Sequence, residues 1–304
     1  MVEKMSLLNT IGNTPLVKVN GVWVKLEYSN PSGSIKDRMA RYIIEKAEKT
    51  GKLKKGYHVV EATTGNTGIS FAMVCALKGY KCVIVMPKGM SHERKQIMQA
   101  FGARVIETHE NCVKCAVQKT LSFKKKAFLP RQFENPWNPI EHEKHLGTEI
   151  LQGVKKIDAF IAGVGTGGTL VGVGKAIRKK FPSAQLIAVE PSECPLLSEN
   201  KYAKHVLHGL HKGFTCKKHG IEGIGDGFIP KIIEQNRDLI DDVITIKTKD
   251  AIRVCNFLAK KGFLVGPSSG ANFLGALKLK KKFSNVVTLF PDRGSRYLSE
   301  KIFD

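Results

Sequence analysis

The sequence predicts an α/β fold with mainly parallel sheets. Short runs rich in β-branched residues alternate with amphipathic helical stretches along most of the 304 residues. Four of the predicted helices stop at a glycine, the usual residue at a helix C-terminus. These glycines are Gly51, Gly79, Gly102 and Gly262.

Each predicted strand is a short, mostly apolar run, and each predicted helix carries apolar residues at helical spacing. In chain order the strands are Val22–Glu27, His58–Ala62, Lys81–Met86, Ala103–Thr108, Ala159–Ala162, Gln185–Glu190, Asp242–Thr245 and Val286–Phe290. The helices between them are Arg38–Thr50, Ile69–Lys78, His92–Phe101, Leu170–Lys180 and Lys249–Lys261. Two stretches are predicted to be irregular: Gln132–Pro139, a seam too rich in proline for an element interior, and Glu193–Pro230.

Composition excludes several classes of protein. No apolar run reaches the roughly 20 residues of a membrane span, and the N-terminus has no apolar signal region. Seven scattered cysteines do not form a disulfide framework, so we expect a cytoplasmic protein. The net charge of +22 favours anionic partners, but the lysines are spread along the chain and no nucleic-acid-binding motif accompanies them.

Lys36 is the first candidate for chemistry. It lies just inside a predicted helix start, after the turn Asn30-Pro31-Ser32-Gly33-Ser34. A lysine that is buried there has a lowered pKa, and its neutral amine can attack a carbonyl to form a Schiff base. Taken alone, the segment is equally compatible with an ordinary surface lysine in the first turn of a helix.

Two glycine-rich turns follow predicted strands and precede helices. The first, Glu61–Gly68, includes Thr63, Thr64 and Asn66, and its N–H groups and hydroxyls suit a carboxylate or a phosphate. The second, Gly163–Thr169, also suits a phosphate. Either turn is also explained as a simple helix cap.

The second turn has a competing interpretation. Gly163, Gly165 and Gly168 match the dinucleotide-binding pattern, and Glu190 ends the next strand, where a ribose-binding acid belongs. Dinucleotide binding, however, leaves Lys36 and the Asn66 turn without a role. A third segment, Gly266–Asn272, places Ser268 where it either caps a helix or bonds a ring nitrogen.

Other catalytic or metal-binding patterns are incomplete. Cys112 and Cys115 form a C-x-x-C pair, but no second pair completes a zinc site. His205, His208 and His211 lack the spacing of a zinc protease, and no nucleophile elbow or Walker A sequence is present. We therefore predict no metal site.

Together, in this order, these segments resemble the cysteine synthase and cystathionine β-synthase family of fold-type II pyridoxal-phosphate enzymes. The resemblance extends from Ile11-Gly12-Asn13-Thr14-Pro15-Leu16 to Pro291-Asp292-Arg293. It implies two three-layer α/β domains with the cofactor, pyridoxal 5'-phosphate, in the cleft between them. It also implies β-replacement or β-elimination on a β-substituted alanine through an aminoacrylate, such as O-acetylserine plus sulfide giving cysteine.

The resemblance also assigns roles to residues at matching positions. Lys36 resembles the Schiff-base lysine, Ser268 the partner of the pyridine nitrogen, and Asn66 a contact of both cofactor and substrate. Further residues implied to bind the cofactor phosphate are Gly165, Thr166, Gly167, Gly168 and Thr169. Those implied to bind the substrate are Thr63, Thr64, Gly65, Asn66, Thr67, Gln132 and Gly223.

Asp226 departs from the family pattern, which commonly has a small residue there. A carboxylate in the substrate pocket is able to orient or deprotonate water, or to meet the ammonium of a second amino acid. Asp226 is then a catalytic candidate in an enzyme that consumes cysteine and releases hydrogen sulfide, with serine, lanthionine or cystathionine as product. Alternatively Asp226 points to solvent and the enzyme is an ordinary cysteine synthase.

The resemblance further predicts the domain division and the partners. Residues 38–144 are expected to form a smaller, mobile domain that grips the substrate, and residues 1–37 with 145–304 a larger domain that holds the cofactor phosphate. The partners are expected to be small amino acids with sulfide or a thiol, and a second copy in a homodimer.

Overall fold

A computed structural model describes residues 6–108, 112–199 and 216–303. The candidate histidines His205, His208 and His211 lie outside these residues, as does the middle of the Glu193–Pro230 stretch. No helix in the described ranges is long and apolar enough to cross a membrane.

Two separate sheets are formed. The strands are β1 (Leu16–Val19), β2 (Val22–Leu26), β3 (His58–Ala62), β4 (Lys81–Pro87), β5 (Arg104–Thr108), β6 (Ala127–Phe128), β7 (Ala159–Gly163), β8 (Gln185–Pro191), β9 (Asp242–Ile246) and β10 (Val286–Phe290). The larger sheet has the order β1-β2-β10-β7-β8-β9, and the smaller sheet has the order β5-β4-β3-β6. Among the strand pairs of the described residues, only β1–β2 is antiparallel, so the predicted parallel α/β fold is confirmed.

Helices cover both faces of each sheet. They are α1 (Lys36–Lys49), α2 (Asn66–Lys78), α3 (His92–Ala100), α4 (Val113–Thr120), α5 (Trp137–Glu141), α6 (Gly147–Gly153), α7 (Gly168–Lys180), α8 (Leu196–Glu199), α9 (Lys231–Glu234), α10 (Thr248–Ala259) and α11 (Pro267–Leu279). Helices α1, α2 and α3 pack on one face of the smaller sheet and α4 on the other. Helices α6, α7 and α9 cover one face of the larger sheet, and α10 and α11 cover the other.

The predicted elements agree with the structure to within two or three residues at their ends. Strands β1 and β6 were not predicted, because runs of four and two residues carry too little periodicity to stand out from loops. The predicted glycine stops are confirmed: Gly79, for example, has φ +74° and follows the last residue of α2.

The Gln132–Pro139 seam is partly helical, which corrects the prediction. Helix α5 begins at Trp137 and includes Pro139, and a π-helical turn, His142–Leu146, connects α5 to α6. Pro139 lies in the first turn of α5, where backbone N–H groups have no intrahelical acceptor, so its missing N–H costs little.

A buried ionic network holds the start of α1 against the larger sheet. Arg38 is 2 % exposed and pairs with Glu27 (Nε–Oε2 2.6 Å) and with Glu149 (Nη1–Oε1 2.7 Å). Burial by itself raises the pKa of Glu27, but Arg38 and Thr14 outweigh it and lower that pKa below its usual value. In the same way Arg38 lowers the pKa of Glu149 to about 2.

We expect Arg38→Met to lower the free energy of unfolding by about 3–5 kcal/mol, because it leaves Glu27 buried without its cation. Urea denaturation measures this loss. The matched control is Arg253→Met, since Arg253 is 78 % exposed and pairs with Asp250 on the surface. The control should change the unfolding free energy by no more than about 1 kcal/mol. Equal effects of the two substitutions would contradict a structural role for the network.

Candidate functional site

The candidate residues meet in a cleft at the carboxyl ends of strands from both sheets. The Asn66 turn follows β3, the second glycine turn follows β7, and Pro291 follows β10. Parallel strands present their carboxyl ends at one edge, which is the usual place for ligands in α/β proteins. Topology therefore brings together segments that are far apart in the chain.

Lys36 is the first residue of α1 and lies between two parts of the cleft. One cavity includes Lys36, Asn66, Thr166 and Ser268 in its lining. A second cavity shares Lys36, Asn66 and Thr166 and adds Asp226. Burial lowers the pKa of Lys36, while the carboxylates of Asp226 and Asp292 act in the opposite direction. This position favours a role in chemistry over an ordinary surface lysine.

The two residues that follow Lys36 hold its backbone in position. Asp37 is fully buried and accepts hydrogen bonds from the N–H of Ser32 (2.7 Å) and from the hydroxyl of Ser70 on α2 (2.6 Å). Arg38 is held by the ionic network described above. Lys36 thus extends into the cleft from a backbone anchored by both of the next two residues.

The Asn66 turn is held by hydrogen bonds from several elements. The Asn66 Nδ2 donates to Asp292 Oδ2 (2.6 Å), and its Oδ1 accepts from Arg296. The Thr67 hydroxyl donates to Oε1 of Gln132 (2.7 Å), whose Nε2 donates to the Ala62 carbonyl (2.7 Å). The side-chain amides of Asn66 and Gln132 therefore have fixed orientations beside Lys36.

Thr63, Thr64 and Gly65 complete this turn. The hydroxyl of Thr63 accepts from the Gly65 N–H (2.9 Å), and all three residues line the cavity that contains Lys36 and Asp226. The structure thus brings all the predicted substrate-binding residues, Thr63, Thr64, Gly65, Asn66, Thr67, Gln132 and Gly223, to this one cavity.

The second glycine turn offers unused donors. Within the described ranges, the N–H groups of Gly165, Thr166 and Gly167 donate to no protein acceptor. The turn itself is rigid, because Asn272 accepts from the Gly163 N–H (2.8 Å) and Asn138 donates to the Thr166 hydroxyl (3.0 Å). These free N–H groups, at the N-terminus of α7, suit an anionic group.

The remaining phosphate-loop candidates lie at the start of α7. Gly168 has no room for a side chain, since a Cβ there would lie 2.0 Å from Asn138 Oδ1. Thr169 lines the same cavity as Lys36, and its hydroxyl lies 3.5 Å from Nε2 of His142.

Ser268 is not a helix cap. Helix α11 begins at Pro267 with Gly266 at its N-cap, and no side chain caps this helix end. Ser268 is 3 % exposed and lines the cavity that contains Lys36. Of the two interpretations of this serine, the position favours a contact with a bound group.

Asp226 is partly exposed and lines the cavity that contains Lys36, a position that favours a role in the cleft. Its loop is anchored by the Gly225 N–H, which donates to the Val164 carbonyl (3.0 Å), and by His219, whose Nε2 lies 2.9 Å from the Gly225 carbonyl oxygen. Burial raises the pKa of Asp226, and the nearby positive charge of Lys36 partly opposes that rise.

The structure does not support dinucleotide binding, because the carboxylate of Glu190, which would bind the ribose, is bonded within the protein. The Glu190 carboxylate accepts from the N–H groups of Leu197 (2.7 Å) and Ser198 (2.9 Å) and from the Ser198 hydroxyl (2.6 Å). Glu190 is 2 % exposed, so it is not available to a ribose.

Cysteine pairs do not form a metal centre. Cys112 is disulfide-bonded to Cys115, and Cys194 to Cys216. In the part of the chain that is described, no group of three or more His, Cys, Asp or Glu side chains is arranged to hold a metal ion.

Sequence reasoning assigned no role to three buried side chains of the site. Asp292 accepts from both Asn66 and the Tyr297 hydroxyl (2.5 Å), and Arg94 lies over the Tyr297 ring. Asp292 belongs to the Pro291-Asp292-Arg293 motif, but its contacts are with distant residues, and no local pattern marks Arg94 or Tyr297.

Comparison with known proteins identifies relatives over the whole chain. Residues 7–292 match the profile of the family described as "Pyridoxal-phosphate dependent enzyme". Cysteine synthase of Staphylococcus aureus is 43% identical over 315 aligned positions, covering 98% of this chain and 96% of that protein.

Several solved structures are also similar to this chain in fold and sequence. O-acetylserine-dependent cystathionine β-synthase of Helicobacter pylori superposes with a TM-score of 0.89 at 36% identity, covering all of both chains. A hydrogen sulfide-producing enzyme of Fusobacterium nucleatum gives a TM-score of 0.88 at 40% identity, covering 97% of this chain and 90% of that one. An Asp-to-Asn mutant of the Fusobacterium enzyme, with an α-aminoacrylate intermediate, gives 0.88 at 39% identity with the same coverage.

We expect Asp226→Asn to lower the pKa of Lys36 further, because it removes one of two carboxylates that favour the charged ammonium. The rate at which acetic anhydride modifies Lys36 in cofactor-free protein, followed by mass spectrometry across a pH series, measures this pKa. Asp158→Asn is the control, since Asp158 precedes β7 at the other end of that strand. A Lys36 titration that does not change in Asp226→Asn would show that the two groups do not interact.

Proposed function

Because the chain belongs to the family of pyridoxal-phosphate-dependent enzymes, we propose that it catalyses β-replacement on a β-substituted alanine at Lys36, as cysteine synthases do. The cavity shared by Lys36, Asn66, Thr166 and Ser268 carries this proposal. It combines an amine, a directed amide, an anion-binding turn and a hydroxyl in one place, which are the groups that this cofactor requires.

The cofactor is pyridoxal 5'-phosphate, and the residues present fit it. Gly165, Thr166 and Gly167 offer N–H groups that have no acceptor among the described residues, and they suit the phosphate. Gly168 and Thr169 extend this cradle into α7. When bound, the cofactor supplies an aldehyde for the amine and a ring that withdraws electrons from the substrate.

Lys36 is proposed as both the anchor of the cofactor and the general base. Burial lowers its pKa, so a larger fraction of the amine is neutral near pH 7 than for a solvated lysine. In the cleft this amine would hold the cofactor and, when free, would accept the α-proton of the substrate.

Ser268 is proposed to meet the ring nitrogen. A neutral hydroxyl, unlike an aspartate, leaves that nitrogen largely unprotonated. Ser268 would thereby favour loss of the β-substituent over transamination, because an unprotonated ring nitrogen makes the cofactor a weaker electron acceptor.

The substrate carboxylate is proposed to lie in the Asn66 turn. Thr63, Thr64, Gly65 and Thr67 offer hydroxyl and N–H donors at the N-terminus of α2, where an anion is stabilised. Gln132, which accepts from the Thr67 hydroxyl, and Gly223 line the same cavity.

A second candidate function follows from the position of Asp226. Its half-buried carboxylate has a raised pKa because of desolvation, so it is a stronger base than a solvated aspartate and suits the activation of water or a thiol. In this function the enzyme consumes cysteine, releases hydrogen sulfide and forms serine, lanthionine or cystathionine. The similarity to a hydrogen sulfide-producing enzyme of Fusobacterium nucleatum supports it.

The domain division and the partners belong to the same proposal. Strands β3 to β6 all come from within residues 38–144, which supports a unit able to move relative to residues 1–37 and 145–304. A cytoplasmic homodimer stays a prediction from the family resemblance, and light scattering after size-exclusion chromatography tests the dimer.

We expect the purified protein to be yellow and its absorbance band to change when O-acetylserine, serine or cysteine is added. Lys36→Ala should lose the band of the covalently bound cofactor and at least about 100-fold of the activity, because no other amine is in place. The control is Lys156→Ala, because Lys156 is exposed. Lys25→Ala is unsuitable as a control, because Lys25 is buried in the Arg38 network. A protein that remains colourless when supplied with pyridoxal phosphate would overturn the proposal.

We expect Asp226→Asn to separate the two candidate functions. If Asp226 activates the nucleophile, sulfide release from cysteine falls by about 100-fold, while O-acetylserine plus sulfide still gives cysteine. Product identification with water, cysteine and homocysteine as nucleophiles completes the test. Unaltered sulfide release would leave cysteine synthase as the function.

A further inference from the structure

Arg94 is an unusually buried charge at the edge of the proposed site. It lies in the first turn of α3, is 2 % exposed, and lines the cavity that contains Lys36 and Asp226. Among the described residues, its Nε and Nη2 atoms have no hydrogen-bond partner. Arginine is rarely buried so deeply without a compensating contact. The contacts that Arg94 does make therefore indicate its role.

The charged end of Arg94 contacts two segments that pack with the larger sheet. Its Nη1 forms an ion pair with Glu222, in the loop that carries Asp226, and its Nη2 lies 3.8 Å from Oε1 of Glu300. Burial and the neighbouring Glu222 raise the pKa of Glu300 to about 7, so Glu300 is only partly ionised near neutral pH. Of the two carboxylates, Glu222 lies nearer to the Arg94 guanidinium, so it is the main ionic partner of Arg94.

The stem of Arg94 contacts the Asn66 turn. A Cβ added to Gly65 would lie 2.4 Å from Cδ of Arg94, so the close approach of these two segments requires a glycine. The contact places the arginine directly against the backbone that precedes Asn66.

A second route connects Arg94 to Asn66 through side chains. The Arg94 guanidinium carbon lies 4.6 Å from the centroid of the Tyr297 ring, a cation–π contact. The Tyr297 hydroxyl donates to Asp292 Oδ2, the same oxygen that accepts from Asn66. Arg94 therefore touches both the Asp226 loop and the network that orients Asn66.

We propose that Arg94 is a positioning residue, which holds the loop carrying Asp226 against the turn carrying Asn66 across the cleft. It acts through Glu222 on one side and through Gly65 and Tyr297 on the other. This inference rests on the proposed function for its kinetic consequence. The mechanical link between the two segments stands on the contacts alone.

A double-mutant cycle of Arg94→Met and Glu222→Gln tests the proposal in the holoenzyme. Methionine keeps an apolar stem against Gly65 and Tyr297, and Glu222 is 26 % exposed, so Glu222→Gln leaves no buried group unpaired except Arg94 itself. The matched control is Lys95→Met, since Lys95 is the next residue of α3 and pairs with Glu107 on the surface. Hydrogen exchange of peptides covering residues 63–68 and 219–229 is measured together with kcat and KM.

We expect Glu222→Gln to increase exchange in residues 219–229, and Arg94→Met to increase it in both peptides. Each variant should lower kcat/KM for the amino-acid donor by at least about tenfold, and the double variant should lose no more than the worse single variant. Lys95→Met should match the wild type in both measurements. Unchanged exchange in residues 219–229, or additive losses in the double variant, would overturn the proposal.

If Arg94→Met does not fold, Glu222→Gln and Arg94→Lys carry the test. Lysine keeps the charge but loses the planar fork, so it should restore part of the protection in residues 219–229. An inactive wild-type enzyme would defeat the proposed function, whereas the exchange data would still decide the role of Arg94.

Discussion

The anchoring of the first turn of α1 by buried charges is the constraint on which the rest of the site depends. Asp37 and Arg38 follow Lys36 directly. The Asp37 side chain is bonded to the Ser32 turn and to α2, and that of Arg38 to Glu27, which follows β2, and to Glu149 in α6. A lysine on a frayed helix end would be solvated and protonated. Held between these two anchors, its amine remains in the cleft with a lowered pKa.

The cleft is assembled by close contacts that only small residues permit. A Cβ on Gly165 would lie 2.3 Å from the Gly223 carbonyl oxygen, and the stem of Arg94 occupies the corresponding space at Gly65. The glycines of the two turns are thus needed as much for packing against other loops as for ligand binding. Bringing these loops together is what places Asp226 opposite Lys36.

The electrostatics of the pocket separate the possible nucleophiles. Asp226 and Asp292 both act on Lys36, and the carboxylate of Asp226 lines the substrate side of the cleft. A negative charge there repels sulfide but is compatible with water or with the ammonium of a second amino acid. In the proposed function, the reaction class depends on the residues that bind the cofactor, and the choice of nucleophile depends on the loop that carries Asp226.

Local patterns in the sequence determined the parallel α/β fold, most element boundaries and the motif residues, because strands, helices and glycine turns are encoded by neighbours in the chain. The short strands β1 and β6 were not predicted, because they depend on pairing with other strands and carry little local pattern of their own. Only the tertiary structure showed that the Glu190 carboxylate is hydrogen-bonded within the protein, that Asp226 shares a cavity with Lys36, and that Asp292 and Arg94 lie at the site. The Asn66–Asp292 bond joins residues 226 positions apart, and no local pattern encodes a contact that exists only once both sheets are packed.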